Sequence, residues 1–219
     1  MAHGRTSHQR GREWLRRLLT LSPATLALAT VAVTGADFAY RLAGDSFIPG
    51  GPLDEVAHLL TTLLVLSALG PRICERFLVP ALVASVAIDL DHVPGQLGAN
   101  LLTAGTPRPY THSLLSIAVV LAVAWRWRRR RDLALGIALG LAIHFWRDMA
   151  EGDSGVSLLW PVSSHSLQYP RGVYLAAMGA FVLVDAARCA SGDRSVERRR
   201  SRRPHAIRTQ PFVRRPEEA

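Results

Sequence analysis

The chain contains no lysine, so all 26 of its cationic side chains are arginine. It has two cysteines, Cys74 and Cys189, which excludes a disulfide-built scaffold and a cysteine-based zinc finger. Only 20% of the 219 residues are charged and 7% aromatic, against 49% hydrophobic. That apolar fraction excludes a disordered polymer, and the length suits one domain or at most two. Runs such as Leu114–Ala124 and Leu133–Ile143 are continuous and mostly aliphatic, without alternation, which argues against strands. No internal repeat is evident. A mean hydropathy of +0.15 averages two unlike parts: the net charge of +9 sits at the ends and in short bursts, and the middle is apolar.

Both ends are too polar to bury a core. Residues 1–17 carry five Arg, and residues 188–219 carry ten more among Ser, Pro and Glu, so both are expected to be disordered basic tails. Between them, residues 18–187 form the expected helical domain, with six apolar stretches at 18–38, 56–70, 77–93, 113–127, 133–148 and 172–187. The first reaches the roughly 20 residues that a bilayer crossing needs, and the others are shorter. Singly, each could be a buried helix of a soluble bundle, but the arginines decide for the membrane. With the N-terminus inside and six crossings, 22 of the 26 Arg fall on the inner side and four, Arg41, Arg108, Arg147 and Arg171, outside. In short loops alone the ratio is seven to four, the asymmetry of a multi-pass membrane protein. The expected fold is therefore all-α, with about six transmembrane or membrane-embedded helices and both termini inside. Gly136, Gly140, Ala142 and Gly179 suit close helix packing in lipid. Trp125, Trp127, Trp146 and Trp160 at the ends of apolar stretches suit an aromatic belt. Arg16-Arg17 before the first stretch is similar to a twin-arginine export signal, but a cleaved signal has a shorter apolar core, so an uncleaved span is expected.

Five of the eight histidines then fall at the outer face: His58, His92, His112, His144 and His165. Only arginines chose the topology, so this convergence is independent of it. Asp89, Asp91 and Asp148 lie at the same face. His144 and Asp148 are four apart and Asp89 and His92 three apart, so each pair shares a helix face. Asp91 joins them only if the helix frays before Pro94. Ionisable groups near a bilayer are costly and usually line a cavity or interior. Imidazole with carboxylate, and no nearby thiol, suits a divalent metal ion: zinc first, with manganese or iron as alternatives. Each residue also has a plain structural reading. Asp54 and Glu55 after Pro52 read as helix-start acids, His165 and Asp153 as loop polarity, and Asp37 with Arg41 as an intramembrane ion pair. The candidate ligands are His58, Asp89, His92, His112, His144 and Asp148. Asp91 is the candidate general base or orienting residue, and Arg108 and Arg147 are candidates for holding an anionic substrate group.

Four segments carry a resemblance to a known family. They are His58-Leu59-Leu60, Ile88-Asp89-Leu90-Asp91-His92, Arg108-Pro109-Tyr110-Thr111-His112-Ser113-Leu114-Leu115, and His144-Phe145-Trp146-Arg147-Asp148 followed by Gly155–Pro161. In that order, over roughly residues 55–161, they resemble the bacterial membrane-bound metal-dependent hydrolases, also described as LexA-binding, inner-membrane-associated hydrolases. The resemblance implies a small multi-span helical protein of the bacterial inner (plasma) membrane with a metal-hydrolase site. Two positions depart from the family pattern: Ile88 stands where Pro is usual, and Pro107 where the family often has a histidine.

The expected activity is hydrolysis of an ester or phosphoester, a lipid among the candidates, at the outer membrane face. A phosphatidate-phosphatase-like enzyme lacks its Pro-Ser-Gly-His piece here. A metal or proton transporter would continue its polar residues along the spans. A non-catalytic adaptor with a degenerate metal site would act through its basic cytoplasmic tails. Arg198-Arg199-Arg200-Ser201-Arg202-Arg203 beside a membrane is expected to contact anionic lipid headgroups. Without aromatic interleaving, the tail gives no reason to expect sequence-specific nucleic-acid binding.

Overall fold

The computed structural model describes residues 23–44, 48–103, 105–151 and 154–201. The N-terminal tail, Asp153 and the segment beyond Ser201 lie outside them. The described residues are mostly helical, and the only strand-like pairing among them is the isolated bridge between Val156 and Leu167. Among the described residues six long helices follow in order: α1 Pro23–Ala43, α2 Gly50–Leu69, α3 Pro71–Ala87, α4 Leu114–Arg126, α5 Arg131–Glu151 and α6 Arg171–Ser201. Each corresponds to one apolar stretch of the sequence. Four of them, α1, α2, α5 and α6, are long and apolar enough to cross a membrane, and α4 is a shorter apolar helix. The last helix continues past residue 187, through backbone that composition alone assigns to a mobile tail.

Helix α3 packs along α5, and the reason is local. A Cβ on Gly140 would lie 2.8 Å from Ala81 Cα, and one on Gly136 3.0 Å from Pro80 Cβ. These glycines, four apart on one face, let two backbones approach as in other membrane helix pairs. Gly179 has open space around its Cα, so it does not share that role. Helices α1, α2 and α6 build a second packing unit around Leu26, Val33, Leu64, Tyr174 and Met178. Trp146 and Phe181 pack against it, so Trp146 is a core residue rather than a belt residue. Trp125 and Trp127 are exposed beside the arginine burst, as a belt requires.

The helices run alternately up and down, with tight links at Gly70 and at 127–130 and longer connections at the other end, which sorts their ends. The C-terminal ends of α1, α3 and α5 and the N-terminal ends of α2 and α4 come together, and they carry the acids and histidines. The opposite end carries Arg72, Arg76, the 126–131 burst and Arg188. There, Arg76 pairs with Asp132 across α3 and α5, and Arg188 donates to the Ser67 and Ala68 carbonyls that close α2. Buried polar groups do continue inward along α2, which the apolar look of that stretch hides. Thr61 meets Tyr174 Oη at 2.9 Å, Thr62 is fully buried, and Ser67 donates to Asp185 at 2.9 Å.

Candidate metal centre

The six candidate ligands, spread over ninety residues of sequence, form one cluster. Helix α2 supplies His58, in its third turn. Helix α3 ends at Ala87, and the chain tightens into a 3-10 turn over Ile88–His92 ahead of Pro94. The expected fraying before Pro94 therefore takes this form. It brings Asp89, Asp91 and His92 to the same side. His112 stands just before α4, in a turn closed by its own N–H on the Pro109 carbonyl at 2.9 Å. The first N–H of α4, that of Leu114, bonds to the Leu158 carbonyl at 2.9 Å, which ties this turn to the 156–167 loop. His144 and Asp148 come from consecutive turns of α5 and face one way, as their spacing requires.

The centre of the cluster is a meeting of two imidazoles. His112 Nε2 and His144 Nε2 are 3.2 Å apart. They lie 3.2 and 3.4 Å from Asp89 Oδ1, and 3.7 and 3.1 Å from Asp148 Oδ2. His144 Nδ1 is 2.8 Å from the Ser85 carbonyl, which can only accept, so Nδ1 carries a proton and Nε2 is the ring nitrogen turned to the cluster. His112 Nδ1 lies 3.3 Å from Asp91 Oδ2, and the Thr111 hydroxyl donates to that same oxygen. His92 Nε2 is 3.5 Å from Asp89 Oδ1 and 3.8 Å from Asp91 Oδ1. His58 stacks on His144 at 3.7 Å, with its Nε2 3.2 Å from Asp148 Oδ1. His58, His112, His144 and Asp148 are all buried.

The donors fall into overlapping groups: Asp89, Asp91, His92 and His112; His58, His144 and Asp148; and Asp54, His58 and Asp89. In each, the ligand atoms lie within 4.8 Å of one another. Asp89 belongs to two of them. Several of these atoms are buried without a hydrogen-bond partner, among them Asp89 Oδ2, His92 Nε2, Asp148 Oδ2 and His58 Nδ1. Buried polar atoms are ordinarily paired, so a concentration of orphans fits a divalent cation. Burial works against ionising Asp89, but His144 and the hydrogen bonds of His112 and His144 outweigh it and hold its carboxyl well below the usual carboxylate range. Burial also opposes a charged His112, yet Asp89 and Asp91 raise its pKa, whereas burial beside His112 lowers that of His92.

The two arginines part company. Arg108 Nη1 lies 3.0 Å from Asp148 Oδ2, an ion pair without hydrogen-bond alignment, and its buried Nε has no hydrogen-bond partner. Arg147 is fully buried, and its guanidinium binds Asp37 Oδ1 at 2.8 Å, Asp54 Oδ1 and His58 Nε2 at 3.0 Å. These contacts turn its donors to protein groups, which speaks against the expectation that Arg147 holds substrate. Asp37, expected to pair within its own helix, is engaged by Arg147 of α5. Asp54 and Glu55 are not helix-start acids, because α2 begins at Gly50 and its first turn has none. Asp54 belongs to the cluster, and Glu55 lies beside Asp89. Sequence reasoning also missed Ser85, which acts through its backbone and so leaves no side-chain signal. His165 is exposed in its loop and is in none of the candidate metal groups among the described residues. Pro107, at the departing family position, is exposed, outside this buried set.

A family model described as YdjM inner membrane protein matches residues 53–206, well over half of the chain and the whole of the cluster apart from Asp37. No curated protein and no solved structure matches the chain. The chain belongs to the YdjM inner membrane protein family, a multi-pass protein of the bacterial inner membrane.

Proposed function

Starting from an inner-membrane bundle with imidazoles and carboxylates gathered at one end, we propose a metal-dependent hydrolase of an ester or phosphoester. Its site faces outward, opposite the arginine-rich end, in line with the positive-inside asymmetry. The observation that carries the reading is the approach of His112 Nε2 and His144 Nε2 between Asp89 and Asp148. Lone pairs and carboxylate oxygens packed this closely in a buried place call for a positive charge among them.

His112, His144, Asp89 and Asp148 would hold the ion, with His58 and His92 at its flanks. A divalent cation there, zinc being the best match to these donors, supplies Lewis-acid polarisation of an acyl or phosphoryl oxygen. The protein's own part is to orient and to exclude water. Ser85 fixes the His144 tautomer, and Asp91, itself held by Thr111, sits behind the His112 ring. Of the two roles open to Asp91, that geometry favours orienting His112 over acting as a base. Arg108, with an unpaired Nε at the edge of the cluster, is the donor for an anionic substrate oxygen.

The test is metal content by elemental mass spectrometry on detergent-purified protein, beside a His144→Ala/Asp148→Ala variant, followed by hydrolysis assays on lipid and phosphoester substrates. One or two equivalents in the wild type, lost in the variant together with hydrolysis, support the reading. A folded wild type that takes up no metal when metal is offered overturns it and favours a membrane adaptor with a degenerate site.

A further inference from the structure

An apolar groove of about 590 Å³ lies between α3, α4 and α5 and leads to the cluster. Its walls include Val83, Ala87, Leu115, Val119, Ile137 and Leu141. That volume is typical of a small-molecule site. Its composition is not typical of one for a water-soluble ligand, because the polar groups are confined to Tyr110, Thr111 and Ser116. Those groups mark direction. Thr111 is next to His112 and donates to Asp91, and the lining residue Ile88 is next to Asp89. At this same end Tyr110 and Trp160 stack at 4.4 Å, and Trp160 is carried by the loop that Leu114 tethers to α4. The groove then runs away from the cluster: Ile137 is seven residues before His144, about 10 Å along α5. So the apolar part runs away from the cluster, and its polar lip is linked to the cluster through Thr111 and Asp91.

We infer that this groove holds the hydrocarbon chain of a membrane lipid whose ester or phosphoester group reaches the cluster. The inference rests on the hydrolase reading and gives it a substrate class. The chain binds by apolar contact along α3 and α4, and the headgroup linkage passes the Tyr110–Trp160 pair to reach Asp89, His112 and Arg108. A soluble ester would leave the apolar walls unused, and the binding energy of a remote chain is what positions a reacting group.

The experiment uses metal-loaded, full-length protein in phospholipid nanodiscs containing a phospholipid with a photoreactive diazirine in mid-chain. Peptide mapping after irradiation locates the label. The groove peptides should carry several-fold more label per residue than the exposed face of α1 around Leu28 and Val31. Val83 and Val119 are more than half exposed, so Val83→Trp/Val119→Trp fills the groove without entering the core. That variant should bring groove labelling down to the α1 level while keeping its metal. Label spread evenly over both faces overturns the inference, as does cross-linking of α4 to a second copy of the chain in place of lipid. In parallel, wild-type hydrolysis of a long-chain ester is compared with that of a short-chain, water-soluble one. Even labelling with rapid cleavage of the soluble ester refutes the groove assignment alone. Groove labelling with no cleavage of either ester leaves the groove assignment standing and refutes the hydrolase reading.

Discussion

Replacing Arg147 by methionine separates the substrate-holding role expected from the sequence from the structural role its contacts suggest. In the structure its guanidinium lies between Asp37 and Asp54, and all three belong to different helices: α5, α1 and α2. Asp37 is 2% exposed and Arg147 0%. Removing one partner of a buried pair costs about 3–5 kcal/mol, because the remaining charge stays desolvated and unpaired. Here one cation faces two carboxylates, so Arg147→Met is expected near the upper part of that range. Even 3 kcal/mol is about a 150-fold change in the unfolding equilibrium, at about 1.4 kcal/mol per tenfold. Adding Asp37→Asn and Asp54→Asn removes the orphaned charges and should recover most of the loss. The assay is equilibrium unfolding in mixed micelles, with metal content measured on each variant. Arg108→Gln is the comparison: its side chain is 11% exposed and it pairs with one carboxylate, Asp148, so a smaller loss of stability is expected. An Arg147→Met protein within about 0.5 kcal/mol of wild type, a surface-like effect, would refute the network argument. So would a variant of full stability whose only defect is a raised KM, which is the signature of a substrate clamp.

Other consequences follow from the same geometry. Asp91→Asn and Thr111→Val should each weaken metal binding by about 10–100-fold, the usual cost of losing an orienting partner, as read by competition with a chelator. His165→Ala should leave metal content unchanged, and its loss would place the exposed loop in the site after all. Gly140→Val should destabilise the α3–α5 pair by about 1–3 kcal/mol, as overpacking does, whereas Gly179→Ala should be tolerated in the same unfolding assay. Acidification should release the ion as the imidazoles take up protons, His112 with its raised pKa before His92 with its lowered one, so metal retained after dialysis should fall from pH 7 to pH 5.

The helices were legible because apolar runs of helical length leave few alternatives, and all six recur in the structure. The cluster was legible for a different reason: polar residues at the ends of apolar runs are conspicuous, and counting arginines put their ends on one side. The misreadings share a cause. Local spacing offers Asp37 a near partner in Arg41 and Asp54 a place at a helix start, whereas both carboxylates meet Arg147, 110 and 93 residues away. Nothing periodic announces such a contact. Helix ends were hidden as well. The 3-10 turn at Ile88–His92 decides where Asp91 points, and only Pro94 hinted at it. The groove was invisible, since a concave apolar wall and a flat one have the same composition.

The lone attachment of α4 has a consequence for how the protein comes apart. Only Ala124 is buried along this helix, which packs chiefly on α5. His112 sits at its root, so an ion shared between His112 and the donors of α3 and α5 would rivet the least anchored helix to the best anchored ones. Chelation should then unlatch one wall of the groove before the bundle itself melts. In hydrogen exchange, the amides of Leu114–Arg126 would speed up first, while those of the α3–α5 seam stay slow.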